Sequence, residues 1–391
     1  MTARVHHADL WGTRQAKYDW LNKHDAADTH WRTVHPKEPF YLFARQDTQR
    51  LAEYQGGWRI SDAMPVNNVG IVTGQDRMTV AFDEQGARAL ATAVRLDPGC
   101  IKPVMYRPFD RRFLLYDPSV VTRARLDVMR HLMVGRNLAL IATRQTRDKW
   151  DTFVTRDLTG HKSCAAFDIN TVFPLYLYGN GSLPPSLFER EDGRRPNLGG
   201  VFVEAVANCL RLRFVPDGRG DARKTFGPED VFHYAYAIFH SPTYRKRYAE
   251  FLKIDFPRLP LTGDKNLFAR LVKLGQELVG LHLLENVPTP AARYPRQGDS
   301  VVHRVEYKPP TSESPGRVCI NDQQYFDNVP PEVWAFHVGG YQVCEKWLKD
   351  RKGRCLSYDD IERYRGITEA LRQTIRLMDE IDRAIPTWPL P

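Results

Sequence analysis

One short motif in this chain has a spacing that could support catalysis at a phosphodiester bond. Glu306-Tyr-Lys308 has the Glu-x-Lys spacing with which a nuclease brings a metal-binding carboxylate and a lysine to the scissile phosphate. Such a short match arises often by chance, and the alternative is a hairpin strand with both charged side chains on one solvated face. The sequence favours the hairpin strand. The nuclease alternative predicts metal-dependent cleavage that Glu306→Ala abolishes.

Other catalytic signatures are absent from the sequence or incomplete. Residues 218–225 contain glycine, lysine and threonine, but the glycines are not spaced as a phosphate-binding loop requires. The sequence contains no Gly-x-Ser-x-Gly elbow, no His-Glu-x-x-His helix and no Gly-x-Gly-x-x-Gly turn after a predicted strand. The six cysteines include no Cys-x-x-Cys pair, so neither a zinc site nor a disulfide framework is predicted.

Charge and composition narrow the class of partner. The 391 residues carry 56 Lys and Arg against 47 Asp and Glu, a formal net charge of +9. A surplus of cations favours polyanions such as nucleic acid through counterion release, although it also serves solubility alone. No stretch approaches the roughly 18 apolar residues that cross a bilayer, and the opening residues lack the pattern of an export signal. We therefore expect a cytoplasmic protein without a membrane partner.

The elements that must position functional residues begin with a sheet-rich region. A helix is predicted over residues 9–22, and short β-rich runs follow at 40–43, 70–73 and 78–82. Buried strands are predicted at 138–142, 152–155 and 173–178. Loops rich in glycine, proline and charge, at 179–200 and 216–227, separate this region from the rest of the chain.

The remainder of the chain is predicted to be mainly helical. Pro228 suits the first position of a helix, and Ser241 and Asp264 suit the caps of the next two. A hairpin is predicted near 300–326, and Ser357 and Asp360 form the capping box of a final helix. The prediction is an α+β fold with a mixed-sheet region (31–215) and a mainly helical region (228–391), the latter comprising a bundle, the hairpin and a C-terminal helix pair.

Several longer motifs follow one another along almost the whole chain. They include Gly70-Ile-Val-Thr-Gly-Gln-Asp-Arg77, Tyr106-Arg-Pro-Phe-Asp-Arg-Arg-Phe113, Phe173-Pro-Leu-Tyr-Leu-Tyr178, Tyr234-Ala-Tyr-Ala-Ile-Phe-His-Ser-Pro-Thr-Tyr-Arg245, Asp255-Phe-Pro-Arg-Leu-Pro260, Leu281-His-Leu-Leu-Glu285, Gly339-Gly-Tyr-Gln-Val343 and Lys346-Trp-Leu-Lys-Asp-Arg351. In this order they resemble the C-terminal specificity region of Type ISP restriction-modification enzymes. Long motifs in the right order make a specific signal.

The resemblance implies a division of labour. In that family, one polypeptide joins a nuclease, a helicase-like motor, an adenine-N6 methyltransferase and a C-terminal target-recognition domain for phage defence. Only the last part is resembled here, and residues 1–30 are similar to the tail of the methyltransferase domain. The methyltransferase signature, Asn or Asp followed by Pro-Pro-Tyr or Pro-Pro-Phe, does not occur, since Leu183-Pro-Pro-Ser186 and Val329-Pro-Pro-Glu332 do not supply it.

The resemblance therefore implies a module that reads double-stranded DNA and has no catalytic centre of its own. Its partners would be methyltransferase and helicase domains or subunits of the same system, and S-adenosylmethionine, ATP and magnesium would be needed only there. Two alternatives remain at this stage. One is a diverged nuclease or methyltransferase, and the other is a non-catalytic remnant that docks on partner subunits and binds DNA poorly.

A recognition module needs cations for phosphates and amide or guanidinium groups for base edges. Residues 144–149 directly follow a predicted buried strand, so they form the preferred base-reading segment, with an ordinary charged surface loop as the alternative. Arginines of the 106–113 motif are further candidates, although Arg107 could instead pair with Asp110. The candidates from these two segments are Arg144, Gln145, Arg147, Lys149, Arg107, Arg111 and Arg112.

Three further segments supply weaker candidates. Arg245 and Lys246 could contact phosphates, whereas Tyr244 and Tyr248 at helical spacing are expected to face the core. Asn321 and Gln323 offer groups suited to adenine, but an ordinary turn is favoured at Asn321. Arg351 and Lys352 belong to a predicted exposed connector between helices, where they could contact phosphates or favour solubility.

Overall fold

A computed structural model of the chain describes residues 3–38, 41, 43, 50–147, 149–179 and 194–391. Contacts between residues define two compact units, Met1–Ala52 and Glu53–Pro391. The first unit contains strand β1 (Val5–His7), helix α1 (Arg14–Leu21) and strand β2 (Arg32–Val34).

In the first unit, β1 and β2 pair antiparallel. The predicted N-terminal helix is confirmed in a shorter form, because Thr13 caps α1 by accepting a hydrogen bond from the Ala16 amide. No residue of α1 is buried, and Trp11 just before it is 83% exposed. The β-rich run predicted at 40–43 lies largely outside the described residues.

The sheet-rich region of the second unit follows. Its elements are α2 (Leu51–Gln55), β3 (Trp58–Arg59), α3 (Ile60–Ala63), β4 (Asn68–Val69), α4 (Asp76–Thr79), β5 (Val80–Ala81), α5 (Glu84–Ala93), β6 (Ile101–Arg107), β7 (Asp110–Leu115), α6 (Leu126–Met129), β8 (Ala139–Thr143), β9 (Thr152–Thr155), β10 (Leu158–Thr159), β11 (Asn170–Pro174), β12 (Tyr176–Tyr178), β13 (Arg194–Pro196), α7 (Gly200–Leu210), β14 (Arg213–Phe214) and β15 (Thr225–Phe226).

Two four-stranded sheets form the centre of this region. One has the strand order β10-β6-β7-β5, with β10 parallel to β6 and the other pairs antiparallel. The other has the order β4-β11-β8-β9 and is antiparallel throughout. Every residue of β8, β9 and β11 is buried. The strands predicted at 138–142 and 152–155 are therefore confirmed, whereas the run at 173–178 is divided between the end of β11 and β12, which lies in a different sheet.

The two sheets share an apolar core. Ile71 forms a parallel bridge with Gly160, and this bridge joins the segment after β4 to the segment after β10. Around it pack Val104, Leu114, Leu158 and Val172, each of them buried. Burying one such side chain on folding stabilises the folded state by about 1.5–3 kcal/mol. This shared core gives the loops at the strand ends a rigid base.

The sequence-based assignment differs from the structure at several points in this region. The run predicted at 70–73 forms only isolated bridges, at Ile71 and Val72. Residues 78–82 were predicted as a strand, but the chain forms the helical turn α4 and then only two strand residues, β5. Contacts from other elements stabilise the turn, because the Asp76 carboxylate accepts hydrogen bonds from Thr73 and Tyr106. The helices α5 and α7 were not predicted, although Asp83 caps α5 by accepting from the Gly86 amide.

The last part of the chain contains most of the long helices. Its elements are α8 (Pro228–His240), α9 (Pro242–Arg247), α10 (Ala249–Leu252), β16 (Arg258–Leu259), α11 (Lys265–His282), β17 (Glu306–Lys308), β18 (Arg317–Cys319), β19 (Tyr325–Asp327), α12 (Pro331–Trp334), β20 (His337–Val338), β21 (Tyr341–Gln342), α13 (Val343–Lys349) and α14 (Tyr358–Ala384).

The predicted bundle consisted of the three helices that begin near residues 228, 241 and 264, whereas in the structure α8 and α11 pack with the C-terminal helix α14. The helix predicted after Ser241 is divided into α9 and α10. The predicted starts at Pro228, Ser241 and Asp264 are confirmed, and the side chains of Ser241 and Asp264 accept backbone hydrogen bonds as caps. At Gly275 on α11, a Cβ atom would lie 1.9 Å from the carbonyl oxygen of His233 on α8. Only glycine therefore allows these two helices to approach so closely.

The predicted hairpin is confirmed, with β19 extending it to a three-stranded antiparallel sheet in the order β17-β18-β19. Ser357 and Asp360 form the predicted capping box of α14, which closes the chain with α13. The α+β fold class is confirmed, while the division into regions 31–215 and 228–391 stays a prediction. No helix in the described part of the chain is both long and apolar enough to cross a membrane.

Candidate nucleic-acid interface

The loop that follows β8, which we call the cationic loop (residues 144–149), leaves the end of a fully buried strand. The side chain of Arg144 is 64% exposed and that of Arg147 is 85% exposed. Gln145 and Lys149 are exposed as well. The predicted position of these residues, on a surface loop after a buried strand, is confirmed. Their contact with DNA stays a prediction.

Ion pairs hold both ends of the cationic loop. One pair involves its first residue, and the other involves a carboxylate just after its last residue. Asp255, which is 7% exposed, accepts a hydrogen bond of 3.2 Å from Arg144 Nε and lies 3.2 Å from Arg59 Nη2. Asp151, just after the loop, lies 2.6 Å from Arg245 Nη2. The first side chain of the loop and the residue that follows its end are thus held in place, which lowers the entropy cost of binding an anionic ligand.

A neighbouring loop (residues 160–169) connects β10 to β11 and lies against the cationic loop. The link is Asp168, whose carboxylate accepts hydrogen bonds from Thr146 Oγ1 at 3.1 Å and from the Arg147 amide at 2.9 Å. The same carboxylate lies 3.9 Å from Arg147 Nε. Lys162 adds another exposed cation. Asp168 therefore joins the neighbouring loop to Thr146 and Arg147 of the cationic loop.

The Gly339-Gly-Tyr341 motif braces these loops from the C-terminal region. The Tyr341 hydroxyl donates to the Lys162 carbonyl at 2.9 Å, and the Gly339 amide donates to Asp151 at 3.0 Å. Gly339 has a φ of +56°, and a Cβ atom there would lie 1.9 Å from the carbonyl oxygen of Cys164. Glycine is needed here both for the left-handed conformation and for the close approach.

Arg107, at the end of β6, contacts the neighbouring loop. Its Nη1 donates to the Lys162 carbonyl at 3.3 Å, and its guanidinium lies over the rings of Tyr106 and Tyr341. The predicted alternative, an ion pair between Arg107 and Asp110, is wrong, because Asp110 pairs with other arginines. Burial and the hydrogen bond to Asp76 raise the pKa of Tyr106 to about 12, so its phenol stays protonated at neutral pH.

Two predicted DNA contacts, Arg112 and Arg351, lie inside the fold. Arg112 Nη2 is 2.7 Å from Asp110 and 3.2 Å from Asp350, while Arg351 Nη2 is 2.9 Å from the other oxygen of Asp110. Arg112 is only 8% exposed, Arg351 3% and Asp110 1%. Together with Asp360, which lies 3.4 Å from Arg351 Nε, these residues form what we call the buried arginine cluster.

Aromatic rings complete the buried arginine cluster. The Arg112 guanidinium lies 4.1 Å from the ring centre of Phe82 and 3.8 Å from that of Tyr106, and Arg351 lies 3.4 Å from that of Trp347. The assignment of Arg351 to an exposed connector is therefore wrong, whereas Lys352 is exposed. Charges removed from water need such partners, so Arg112 and Arg351 hold strand β7 to the C-terminal helices. We remove both from the candidate DNA contacts.

Three other residues that were predicted to contact DNA differ in how exposed their charged groups are. Arg111 on β7 is 45% exposed and its Nε lies 2.6 Å from Asp157. Arg245 is 19% exposed beside Asp151, so the structure brings it to the base of the cationic loop. Lys246 is exposed. Tyr244 and Tyr248 are buried, which confirms that they face the core.

Asn321 forms the turn that the sequence favoured there. Its side-chain oxygen accepts hydrogen bonds from the amides of Gln323 at 3.0 Å and Gln324 at 2.7 Å, and the residue is 9% exposed. Gln323 is exposed. The predicted turn is therefore confirmed. Its hydrogen bonds occupy the side-chain oxygen of Asn321, which a contact with a base would need.

Glu306 and Lys308 are exposed on β17, with Tyr307 between them stacked on Trp334 at 5.1 Å. This confirms the hairpin strand with both charges on one solvated face. In the part of the chain that the structure describes, no group of three or more His, Cys, Asp or Glu side chains is arranged to hold a metal ion.

The residues that sequence reasoning missed at these loops are mainly the supporting ones. Asp168, Asp255 and Tyr341 each restrain the loops through contacts with residues distant in the chain. Lys162 and Phe167, which is 69% exposed, lie on the neighbouring loop. A lysine and an aromatic residue between two strand-like runs could have marked that loop as a second candidate.

Comparisons with known proteins agree with this fold. Three solved structures are similar: a nuclease-deletion mutant of the Type ISP restriction-modification enzyme LlaGI in complex with a DNA substrate mimic (TM-score 0.70, 18% identity), a DrdV–DNA complex (0.74, 17%) and the ATP-dependent Type ISP restriction-modification enzyme LlaBIII bound to DNA (0.67, 17%). The matches cover 96%, 94% and 92% of this chain, but only 33%, 42% and 26% of those chains.

Sequence comparisons give a complementary result. The search of the curated proteins gives no match. The family model of the Type ISP C-terminal specificity domain matches residues 89–380, which include both loops, the charged residues of the buried arginine cluster and most of α14. The resemblance inferred from the long motifs is thereby confirmed, and the chain belongs to the family of Type ISP C-terminal specificity domains.

Proposed function

We propose that this chain is the target-recognition module of a Type ISP restriction-modification enzyme, which binds a specific sequence in double-stranded DNA. The observation that carries the proposal is the cationic loop, whose exposed side chains stand on the end of a fully buried strand. Cations at this position can neutralise phosphates, while the guanidinium and amide groups of Arg144, Gln145 and Arg147 can read base edges in a groove.

The family and the similar structures support the same function. The LlaGI, DrdV and LlaBIII structures are each described with DNA, and this chain corresponds to about a quarter to two fifths of their lengths. We propose that the module itself carries no catalytic centre and positions a target adenine for a methyltransferase domain. S-adenosylmethionine, ATP and magnesium would then be bound by other domains or subunits of the system.

The proposal is tested by selecting duplexes from a random pool with the purified chain, sequencing them, and measuring anisotropy across a salt series. We expect enrichment of one short site, with an affinity that falls steeply as the salt concentration rises. Salt-dependent binding without enrichment would contradict sequence recognition. No binding to any duplex would contradict the proposal as a whole and would favour a module that only docks on partner subunits.

A pair of variants locates the interface. Removing two exposed cations, as Arg147→Ala with Lys149→Ala, should reduce the slope of log affinity against log salt by about 1.8, that is, about 0.9 for each lost phosphate contact. The matched control is Arg376→Ala, which removes an exposed cation from α14. An unchanged slope in the double variant, or an equal loss in the control, would place the interface elsewhere.

A further inference from the structure

Two large apolar side chains are exposed on the neighbouring loop. Phe167 is 69% exposed and Ile169 is 50% exposed, although the strand that begins directly afterwards, β11, is fully buried. Exposed aromatic and aliphatic groups two residues apart are unfavourable in water, and on a protein surface they often mark a site of interaction. Neither the family assignment nor the cationic loop accounts for these two residues.

Asp168 determines where these side chains stand. Its carboxylate is 13% exposed and is held by Thr146 Oγ1 and the Arg147 amide of the cationic loop. Because Asp168 is anchored, the residues on either side of it, Phe167 and Ile169, are held next to the cationic loop. Further along the same loop, Lys162 is restrained by Tyr341 and Arg107 through its carbonyl oxygen.

The charge around the apolar pair indicates its partner. Exposed cations occur on both loops, namely Arg144, Arg147, Lys149 and Lys162. A hydrophobic protein surface would have to bury these charges or pair them, whereas DNA offers phosphates for the cations and base faces for the apolar groups. Apolar side chains beside cations are the combination with which proteins enter a groove and partly unstack a base step.

We propose that Phe167, supported by Ile169, inserts at a base step of the bound DNA and partly unstacks it. This inference rests on the proposed function, because it requires the cationic loop to contact the duplex. It adds a second means of discrimination: steps that unstack easily, such as TA and CA, would be preferred at that position without any hydrogen bond to a base. Phe167 would thus contribute to affinity and add to the specificity that base-edge contacts of the cationic loop provide.

The first test compares Phe167→Ala with the wild type on the selected duplex across a salt series. We expect affinity to fall by roughly 5- to 100-fold at every salt concentration, as for loss of one stacked aromatic group, with an unchanged salt slope because no cation is lost. Phe167→Trp should retain the affinity. The matched control is Tyr358→Ala, which removes another exposed aromatic residue (76% exposed) from α14.

The second test places 2-aminopurine at successive positions of the selected duplex, since its fluorescence rises when the base is unstacked. We expect saturating wild-type protein to raise the fluorescence at one position, and saturating Phe167→Ala not to do so. Full affinity in Phe167→Ala, or a fluorescence rise that persists in it, would overturn the inference. If the wild type binds no duplex, the proposed function fails instead, so the two failures can be distinguished.

Discussion

The cationic loop and the buried arginine cluster both carry guanidinium groups, but their surroundings are opposite. The Arg147 side chain is 85% exposed and its Nε lies 3.9 Å from the Asp168 carboxylate, whereas the Arg112 side chain is 9% exposed and its Nη2 lies 2.7 Å from Asp110. An exposed pair of this kind contributes at most about 1 kcal/mol to stability. In the buried cluster, removing one partner leaves an uncompensated charge inside the protein.

This difference shows that two arginine-containing regions of the chain serve different purposes. The 106–113 motif and the 346–351 motif are joined through Asp110, which pairs with Arg112 and Arg351. They hold the sheet to the C-terminal helices. The cationic loop is anchored from below by Asp255 and Asp168, and its charge remains available to a ligand. Variants in the two regions should therefore change different properties: stability in the first, DNA binding in the second.

The largest effect on stability is expected from Asp110→Ala. The change leaves the guanidinium groups of Arg112 and Arg351 without their shared carboxylate in a buried site. We expect the free energy of unfolding to fall by about 3–5 kcal/mol, measured by urea denaturation followed by circular dichroism. Glu84→Ala, which removes a carboxylate from an exposed pair with Arg88, is the control and should change it by less than about 0.5 kcal/mol. Equal losses of stability in the two variants would contradict the structural role of the buried arginine cluster.

Lowering the pH should destabilise the fold, because several buried histidines are held in their neutral form. Burial lowers the pKa of His282 and His233 to about 3 and that of His131 to about 4. Because these values lie below the 6.5 of an unfolded histidine, the stabilisation is complete above pH 6.5 and is lost as the pH falls towards the folded-state pKa.

We expect the free energy of unfolding to fall by about 1–2 kcal/mol for each such histidine between pH 7 and pH 5. The measurement is urea denaturation over this range. His282→Gln should be less stable at pH 7, since it disturbs the hydrogen bonds to Tyr236 and Thr374, but should show a shallower pH dependence. An identical pH dependence in wild type and variant would contradict the assignment.

Asp168→Ala should have an intermediate effect. It removes the acceptor of two hydrogen bonds, from Thr146 and Arg147, that join the two loops. We expect a loss of about 1–2 kcal/mol in stability, together with weaker DNA binding because the loops are no longer held together. Asp168→Asn keeps one carbonyl acceptor and should restore part of the affinity. Wild-type affinity in Asp168→Ala would show that the link between the loops is dispensable.

The smallest effect on stability is expected from the double change Arg147→Ala and Lys149→Ala. Both side chains are exposed, and Arg147 Nε lies as far as 3.9 Å from the Asp168 carboxylate, so the free energy of unfolding should change by less than about 0.5 kcal/mol. Thermal or urea unfolding of the variant used for the DNA-binding test provides the measurement. A loss as large as that of Asp110→Ala would mean that the cationic loop is structural.

Local patterns predicted much of the secondary structure. The buried strands β8, β9 and β11 appear as apolar runs, and the helix starts at Pro228, Ser241, Asp264 and Ser357 carry capping residues. These signals are short-range, because a cap or an apolar run acts within a few residues. The helical turn α4 was missed because its stabilising contact, from Tyr106 to Asp76, spans 30 residues of sequence.

Motif order and patterns within single elements were enough to predict the family, the α+β class and the surface position of the cationic loop. Which arginines remain available to a ligand depends on tertiary packing. Arg112 and Arg351 look as accessible as Arg147 in the sequence, but their shared partner, Asp110, is 241 residues from Arg351. Whether a charge is solvated or paired depends on which distant segments pack around it, and no local pattern records that packing.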